Sequence, residues 1–154
     1  MAVMKRIDRV HLYTDGGSKG NPGSGAIAVV ICTADNKVVR KFSECIGNST
    51  NNQAEYHALI RGLDLCAEFT RGTVACFSDS ELMIKQMNGD YRLKNETLRG
   101  LFHDVKKNAE VFSNVTYQHV PRKSQRITEA DRLVKQAHNG RCVDESPIPD
   151  GRHA

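Results

Sequence analysis

The sequence predicts one α/β domain, a mixed sheet with helices on both faces. Three observations carry that prediction. Apolar segments at 9–15, 25–33 and 37–46 follow one another across short polar breaks, as in an antiparallel meander. Beyond residue 47, helical and strand-like segments alternate, which parallel strands joined by right-handed crossovers require. The chain of 154 residues, 39% hydrophobic and 26% charged, is long enough to bury one core.

Each element has its own local signal. Arg9 to Asp15 is a strand with Val10, Leu12 and Tyr13, and it runs out at an acid. Gly16 to Gly23 reads as a loop whose glycines permit positive φ and close backbone approach by a ligand. Gly25 to Thr33 is a long buried strand, Asp35-Asn36 a turn, and Lys37 to Ile46 a third strand antiparallel to it. Polar residues 47–52 lead into a helix reaching about Phe69, with Leu59, Leu63 and Cys66 at helical spacing and a capping-box pattern at Thr50 and Gln53. Thr73 to Ser78 is strand four, and it stops at Asp79 as strand one stopped at Asp15. Ser80 to Met87 is a short helix with Leu82, Met83 and Met87 inward. Asn95 to Phe112 is a further helix, with Leu98, Leu101, Phe102, Val105 and Ala109 on one side. Val115 to Val120 is strand five. A last helix opens near Thr128, whose spacing to Asp131 is again that of a capping box, and ends at Asn139-Gly140. From Arg141 onward the prolines and the lack of periodicity suggest a flexible tail, so the domain is expected at 1–140 and the tail at 141–154.

Composition bounds the function. A net charge of +4 and a pI near 8.9 suit a polyanionic partner without requiring one. No apolar run approaches the roughly 20 residues of a membrane helix, and the N-terminus lacks the apolar stretch of a signal peptide. A cytoplasmic protein with no membrane partner is expected. Five cysteines without a C-x-x-C pair indicate neither a disulfide framework nor a zinc site. Ser18-Lys19-Gly20 runs opposite to the Gly-Lys-Ser/Thr that closes a P-loop, which disfavours nucleotide binding there.

The acids carry the chemistry. If strands one and four are parallel neighbours, Asp15 and Asp79 emerge at one carboxyl-terminal sheet edge, the usual ligand edge of such sheets. Glu55 and Asp131 come from near helix N-termini, so four carboxylates could converge. Their mutual repulsion would raise pKa values or recruit cations, and all-oxygen ligation selects Mg²⁺ or Mn²⁺. Taken singly, each acid fits a structural role better than a catalytic one: a turn for Asp15, caps for Asp79 and Asp131, a solvated helix face for Glu55. Spacing alone leaves both readings open.

Four segments together resemble a known family. Thr14-Asp15-Gly16-Gly17-Ser18-Lys19-Gly20-Asn21-Pro22-Gly23, Thr50-Asn51-Asn52-Gln53-Ala54-Glu55, Ser78-Asp79-Ser80 and Ala130-Asp131-Arg132-Leu133 resemble the signatures of type 1 ribonuclease H, in that family's order and at its spacing. The likeness spans residues 9–139. It implies the ribonuclease H-like fold, with a five-stranded mixed sheet in the order 3-2-1-4-5 and strand 2 antiparallel. It also implies two Mg²⁺ ions, with Mn²⁺ a possible substitute. The implied reaction is endonucleolytic cleavage of the RNA strand of an RNA/DNA hybrid, leaving 5′-phosphate and 3′-hydroxyl ends. By the same resemblance Asp15 bridges the ions, Asp79 and Glu55 hold the metal on the nucleophile side, Asp131 holds the other, and Glu55 lies near the scissile ribose. Gly16, Gly17, Asn21, Asn51 and Asn52 correspond to residues at the hybrid's minor groove, where the 2′-hydroxyl distinguishes RNA. Thr50 and Asn95 resemble those that hold a phosphate of the DNA strand. No obligate protein partner is implied, and a monomer is expected.

Departures from the family qualify the picture. The segment 120–128 carries no histidine where many relatives have a mobile one. It resembles a subgroup with Val-Pro-Arg, which makes Arg122 the candidate for the auxiliary role. The basic, tryptophan-rich protrusion of some relatives is missing and the chain has no Trp, so hybrid binding should be weak and steeply salt-dependent. Glu81 stands where relatives carry an amide or apolar side chain. The alternative reading is a non-catalytic nucleic-acid-binding domain of the same fold, and the intact Asp15, Glu55, Asp79 and Asp131 argue against it.

Overall fold

The computed structural model describes residues 7–146. In chain order they form β1 (Arg9–Gly20), β2 (Gly23–Thr33), β3 (Val38–Ser49), α1 (Asn51–Cys66), β4 (Thr73–Ser78), α2 (Glu81–Met87), α3 (Glu96–Ala109), β5 (Asn114–His119), α4 (Gln125–His138) and β6 (Asp144–Glu145). The strands make one sheet in the order β5-β4-β1-β2-β3-β6, with β2 antiparallel to β1 and β3, and β4 parallel to β1 and β5. Read from β3, the first five run β3-β2-β1-β4-β5. The expected count of five strands is corrected to six, because β6 adds antiparallel outside β3.

The unbroken apolar run in β2 follows from cover on both faces. Val29 and Ile31 pack with α1 and α3 on one side, while Ala26, Ala28, Val30 and Cys32 pack with Ala130, Leu133, Val134 and Ala137 of α4 on the other. Alanines on the α4 side let that helix lie close to the strand. On the opposite face Tyr56 of α1 donates to Gln86 Oε1 of α2 at 2.7 Å, a buried link that fixes the two helices together. Among the described residues no helix is long and apolar enough to cross a membrane.

Of the boundaries that differ from the sequence expectation, the end of β1 and the start of α4 move site residues, and the C-terminal return changes the sheet. β1 does not stop at Asp15. It pairs with β2 as far as Gly20↔Gly23, so Gly16 and Gly17 are strand residues and the turn is only Asn21-Pro22, whose peptide bond is cis. Backbone hydrogen bonds to β2 carry the strand through glycines that local propensity marks as loop. α4 opens at Gln125 rather than near Thr128. The Ser124 amide and hydroxyl donate to the Pro121 carbonyl and close a turn ahead of it, and Ile127 is buried in the first turn. Asp131 therefore lies in the second turn of α4, and the Thr128 hydroxyl donates to the Arg122 carbonyl instead of capping the helix. Residues 141–146, expected in the tail, return along β3. The Ser43 amide donates to the Val143 carbonyl at 2.8 Å, and Lys41 and Phe42 pair with Glu145 and Asp144. Residues 147–154 of the expected tail lie outside those described. Leu82, expected inward, is exposed, while Met83 and Met87 are buried.

Candidate active site

Asp15 and Asp79 meet because β1 and β4 are parallel neighbours. Their last registered pair is Tyr13↔Phe77, and extending the register brings Asp15 beside Asp79 at about the spacing of adjacent strands. The Tyr13 and Phe77 rings stack 4.9 Å apart just before the two acids, which ties the strand ends together. Glu55 arrives from α1, which leans on β1 at Gly16. A Cβ on Gly16 would lie 2.4 Å from the Ala54 carbonyl oxygen and 2.8 Å from the Glu55 amide nitrogen. No L residue with a side chain fits there without moving the helix, so Gly16 sets how close Glu55 comes to Asp15.

The result is a tight acidic cluster. One carboxylate oxygen each from Asp15, Glu55 and Asp79 lie within 4.8 Å of one another. Asp15 is 5% exposed, and Glu55 Oε1 is buried with no hydrogen-bond partner. Burial, then the charges of Asp79 and Asp131, push the Asp15 carboxyl up to about 7, against the opposing pull of the Gly16 amide and Arg122. Burial first, then Asp15 and Asp79, hold Glu55 well above the ordinary carboxylate range. Three acids this close do not all ionise unless positive charge joins them. The donor set is all oxygen and one donor is orphaned, which suits a hard divalent cation such as Mg²⁺ or Mn²⁺.

The fourth expected acid stands slightly apart. Asp131 is outside the three-carboxylate group and pairs with Lys135 one helical turn on, at 3.0 Å, although its charge is felt at Asp15. α4 is anchored for this purpose by Glu129, which lies between Lys41 of β3 at 2.6 Å and Arg126 at 2.9 Å. Arg122 sits over the cluster, with Nε 3.3 Å from Asp79 Oδ2 and its side chain largely exposed.

The remaining expected residues frame the cluster. Asn21 Oδ1 accepts from the Asn51 amide at 3.0 Å, and Asn51 Oδ1 accepts from the Ser18 amide at 2.9 Å, so the β1–β2 hairpin is tied to the start of α1. Asn52 is exposed beside them. Thr50 caps α1 in a full capping box with Gln53, and Asn95 caps α3 through the Leu98 amide. Gly17 differs from Gly16: a Cβ there would meet only Asn51 Oδ1, at 3.8 Å, an ordinary contact. Glu81 is exposed in the first turn of α2 and pairs with Lys85 at 3.2 Å.

Residues 13–137 match the family model described as Reverse transcriptase-like. The crystal structure of RNase H1 from the halophilic archaeon Halobacterium salinarum is 35% identical with a TM-score of 0.82, over 86% of this chain and 99% of that one. The chain belongs to the ribonuclease H family. A second family structure, LC11-RNase H1 in complex with RNA/DNA hybrid, is 37% identical with a TM-score of 0.78, over 85% of this chain and 97% of that one. Bifunctional protein Rv2228c of Mycobacterium tuberculosis is 38% identical over 130 residues, 84% of this chain and 35% of that protein. The chain thus spans about a third of the length of this curated relative.

Sequence reading missed three residues of this family site. Ser18 holds Asn51, and nothing local marks it once the strand is thought to end at Asp15. Lys135 pairs with Asp131, and its i, i+4 spacing was a legible sign. His138, in the last turn of α4, contacts the Gly17 backbone across the sheet face, a link visible only in three dimensions.

Proposed function

We propose that the protein hydrolyses the RNA strand of RNA/DNA hybrids endonucleolytically, as a cytoplasmic monomer using two divalent ions, and leaves 5′-phosphate and 3′-hydroxyl ends. The observation that carries this reading is the convergence of Asp15, Glu55 and Asp79 around an orphaned buried carboxylate oxygen, on a fold that LC11-RNase H1 uses to hold a hybrid.

Asp15, buried at the centre of the cluster, would be the carboxylate shared between the ions. Glu55 and Asp79 would hold the ion on the nucleophile side with it, and Asp131, now paired with the largely exposed Lys135, would hold the second. When bound, the ions supply the Lewis acidity that lowers the pKa of the attacking water and stabilises the leaving oxygen. The protein's own part is placement. Parallel pairing of β1 with β4 and the Gly16 contact with α1 hold the carboxylates so that charge repulsion favours cation entry. Asn21 and Asn51 use their carboxamide oxygens within the protein, which leaves their NH₂ groups, and the whole Asn52 amide, to donate toward the 2′-hydroxyl and minor-groove acceptors. Gly16 and Gly17 keep β1 low enough for the groove to approach. Thr50 and Asn95, heading two helices, offer neutral donors to a phosphate of the DNA strand.

Uniformly labelled hybrid, RNA duplex, DNA duplex and single strands, each with Mg²⁺, Mn²⁺ or EDTA, test the proposal. The expected result is cleavage of hybrid RNA alone, only with metal, with 5′-phosphate ends. Tight hybrid binding without cleavage would instead identify a binding module.

Arg122 is proposed to act as an auxiliary cation, lowering the acids' pKa values before metal enters and leaving afterwards. An exposed ion pair of this kind is worth about 0.2–1 kcal/mol, so Arg122→Ala should slow cleavage by roughly two- to five-fold. The acid limb of its pH–rate profile should move to higher pH. A loss of a thousandfold would contradict an auxiliary role.

A further inference from the structure

The five cysteines divide into two groups. Cys32, Cys66 and Cys76 are buried, whereas Cys45 and Cys142 are exposed. Cys45 lies in β3, and Cys142 in the segment that leaves α4 and returns along β3 as β6. That return is held next to Cys142 on both sides of the backbone: the Ser43 amide donates to the Val143 carbonyl at 2.8 Å, and the Val143 amide donates to Ser43 Oγ at 2.9 Å. Cys45 is fixed in turn, because its Sγ donates to the Ala137 carbonyl in the last turn of α4 at 3.2 Å. The Ser43–Val143 pairing brings Cys142 alongside Cys45, whose thiol feels it, so side chains 97 positions apart in sequence sit on one accessible edge.

We propose that Cys45 and Cys142 form a redox modification site, at which a small-molecule disulfide such as oxidised glutathione converts the two thiols into a disulfide that fastens the C-terminal segment and the end of α4 to β3. One cysteine thiolate attacks a sulfur of oxidised glutathione, forming a mixed disulfide and releasing one glutathione thiolate. The second cysteine thiolate attacks the mixed disulfide at the protein sulfur and expels the other glutathione. Two electrons pass from the cysteine pair to the glutathione disulfide, and the two thiol protons end on the two glutathione thiols. In a reducing cytosol the site stays dithiol, so it reports oxidation instead of serving as a permanent staple.

Closing a loop of this length constrains the unfolded chain and should raise the thermal midpoint by roughly 5–15 °C. The site does not depend on the hybrid-cleaving reading, since its readouts are covalent and thermal. The full chain is treated with excess oxidised glutathione, dialysed, and compared with the reduced protein. The expected result is a mass loss of about 2 Da with a Cys45–Cys142 peptide after digestion, and a fall in free thiols in denaturant from five to three. The higher midpoint should revert with dithiothreitol. Cys45→Ser and Cys142→Ser, both at exposed positions, should each remove the midpoint gain and the linked peptide. Stable glutathione adducts without a linked peptide, a crosslink to another cysteine, or an unchanged midpoint after oxidation would overturn the proposal.

Discussion

Asp15→Asn is expected to raise the thermal midpoint of the metal-free protein at pH 7.5 by roughly 5–10 °C, even though it removes the central acid of the site. Burial and the neighbouring charges of Asp79 and Asp131 raise the Asp15 carboxyl from an ordinary value of 3.8 to about 7. Between those two values the folded protein binds more protons than the unfolded chain, so its stability falls as pH rises through that window. By pH 7.5 the accumulated cost of ionising Asp15 is about 2–4 kcal/mol. Asparagine removes the charge at nearly constant shape, and its NH₂ can donate to the unpartnered Glu55 Oε1. The advantage of the variant should shrink toward pH 4, where Asp15 is protonated in wild type. Mg²⁺ should stabilise wild type and leave the variant nearly unmoved, since ligand binding stabilises only where a site exists. Melting curves from pH 4 to 8, with EDTA and with Mg²⁺, give both comparisons. A variant less stable than wild type at pH 7.5 in EDTA would show that the acids are not under electrostatic strain.

Gly16→Ala should damage both stability and the site. The added Cβ would stand 2.4 and 2.5 Å from the Ala54 carbonyl oxygen and carbon, which are backbone atoms of a packed helix and cannot swing aside. Either β1 or α1 must shift, at a cost of about 2–4 kcal/mol. The shift carries Glu55 away from Asp15, and a displacement near 1 Å in such a site can cost about a hundredfold in rate. Gly17→Ala is the informative contrast. Its Cβ has room within the fold, so the midpoint should stay within about 2 °C of wild type, while affinity for a hybrid should fall under the proposal that the minor groove approaches Gly17. Equal melting of Gly16→Ala and wild type would mean that the close contact between β1 and α1 is not what sets Glu55.

These two glycines also show how far the sequence was legible. Asp15 and Asp79 could be placed because each ends an apolar run, and the parallel pairing of those runs puts them side by side. Glu55 could be placed in a helix by the Thr50–Gln53 capping box, which forms as expected. The closeness of Glu55 to Asp15 was not legible, because it depends on a missing Cβ at Gly16 meeting backbone that lies far along the chain. The same limit explains the boundary differences. β1 runs on to Gly20 because β2 supplies hydrogen-bond partners, and β6 exists because β3 has a free edge. The start of α4 was misplaced because Thr128 and Asp131 imitate a capping box, whereas a turn closed on Pro121 and the burial of Ile127 decide the register. That start put Asp131 one turn too early. Arg122 was chosen from a resemblance alone, and the structure sets its guanidinium against Asp79.

The measurement that bears most directly on the function is the rate at which wild type and Asp15→Asn, purified in parallel from a host lacking its own ribonuclease H, cleave end-labelled RNA within an RNA/DNA hybrid in Mg²⁺. Wild type should cleave internally in a reaction that EDTA stops, and the variant, at unchanged fold, should be slower by at least about a thousandfold. Cleavage by both proteins at equal rates, or none by either, would contradict the proposed function.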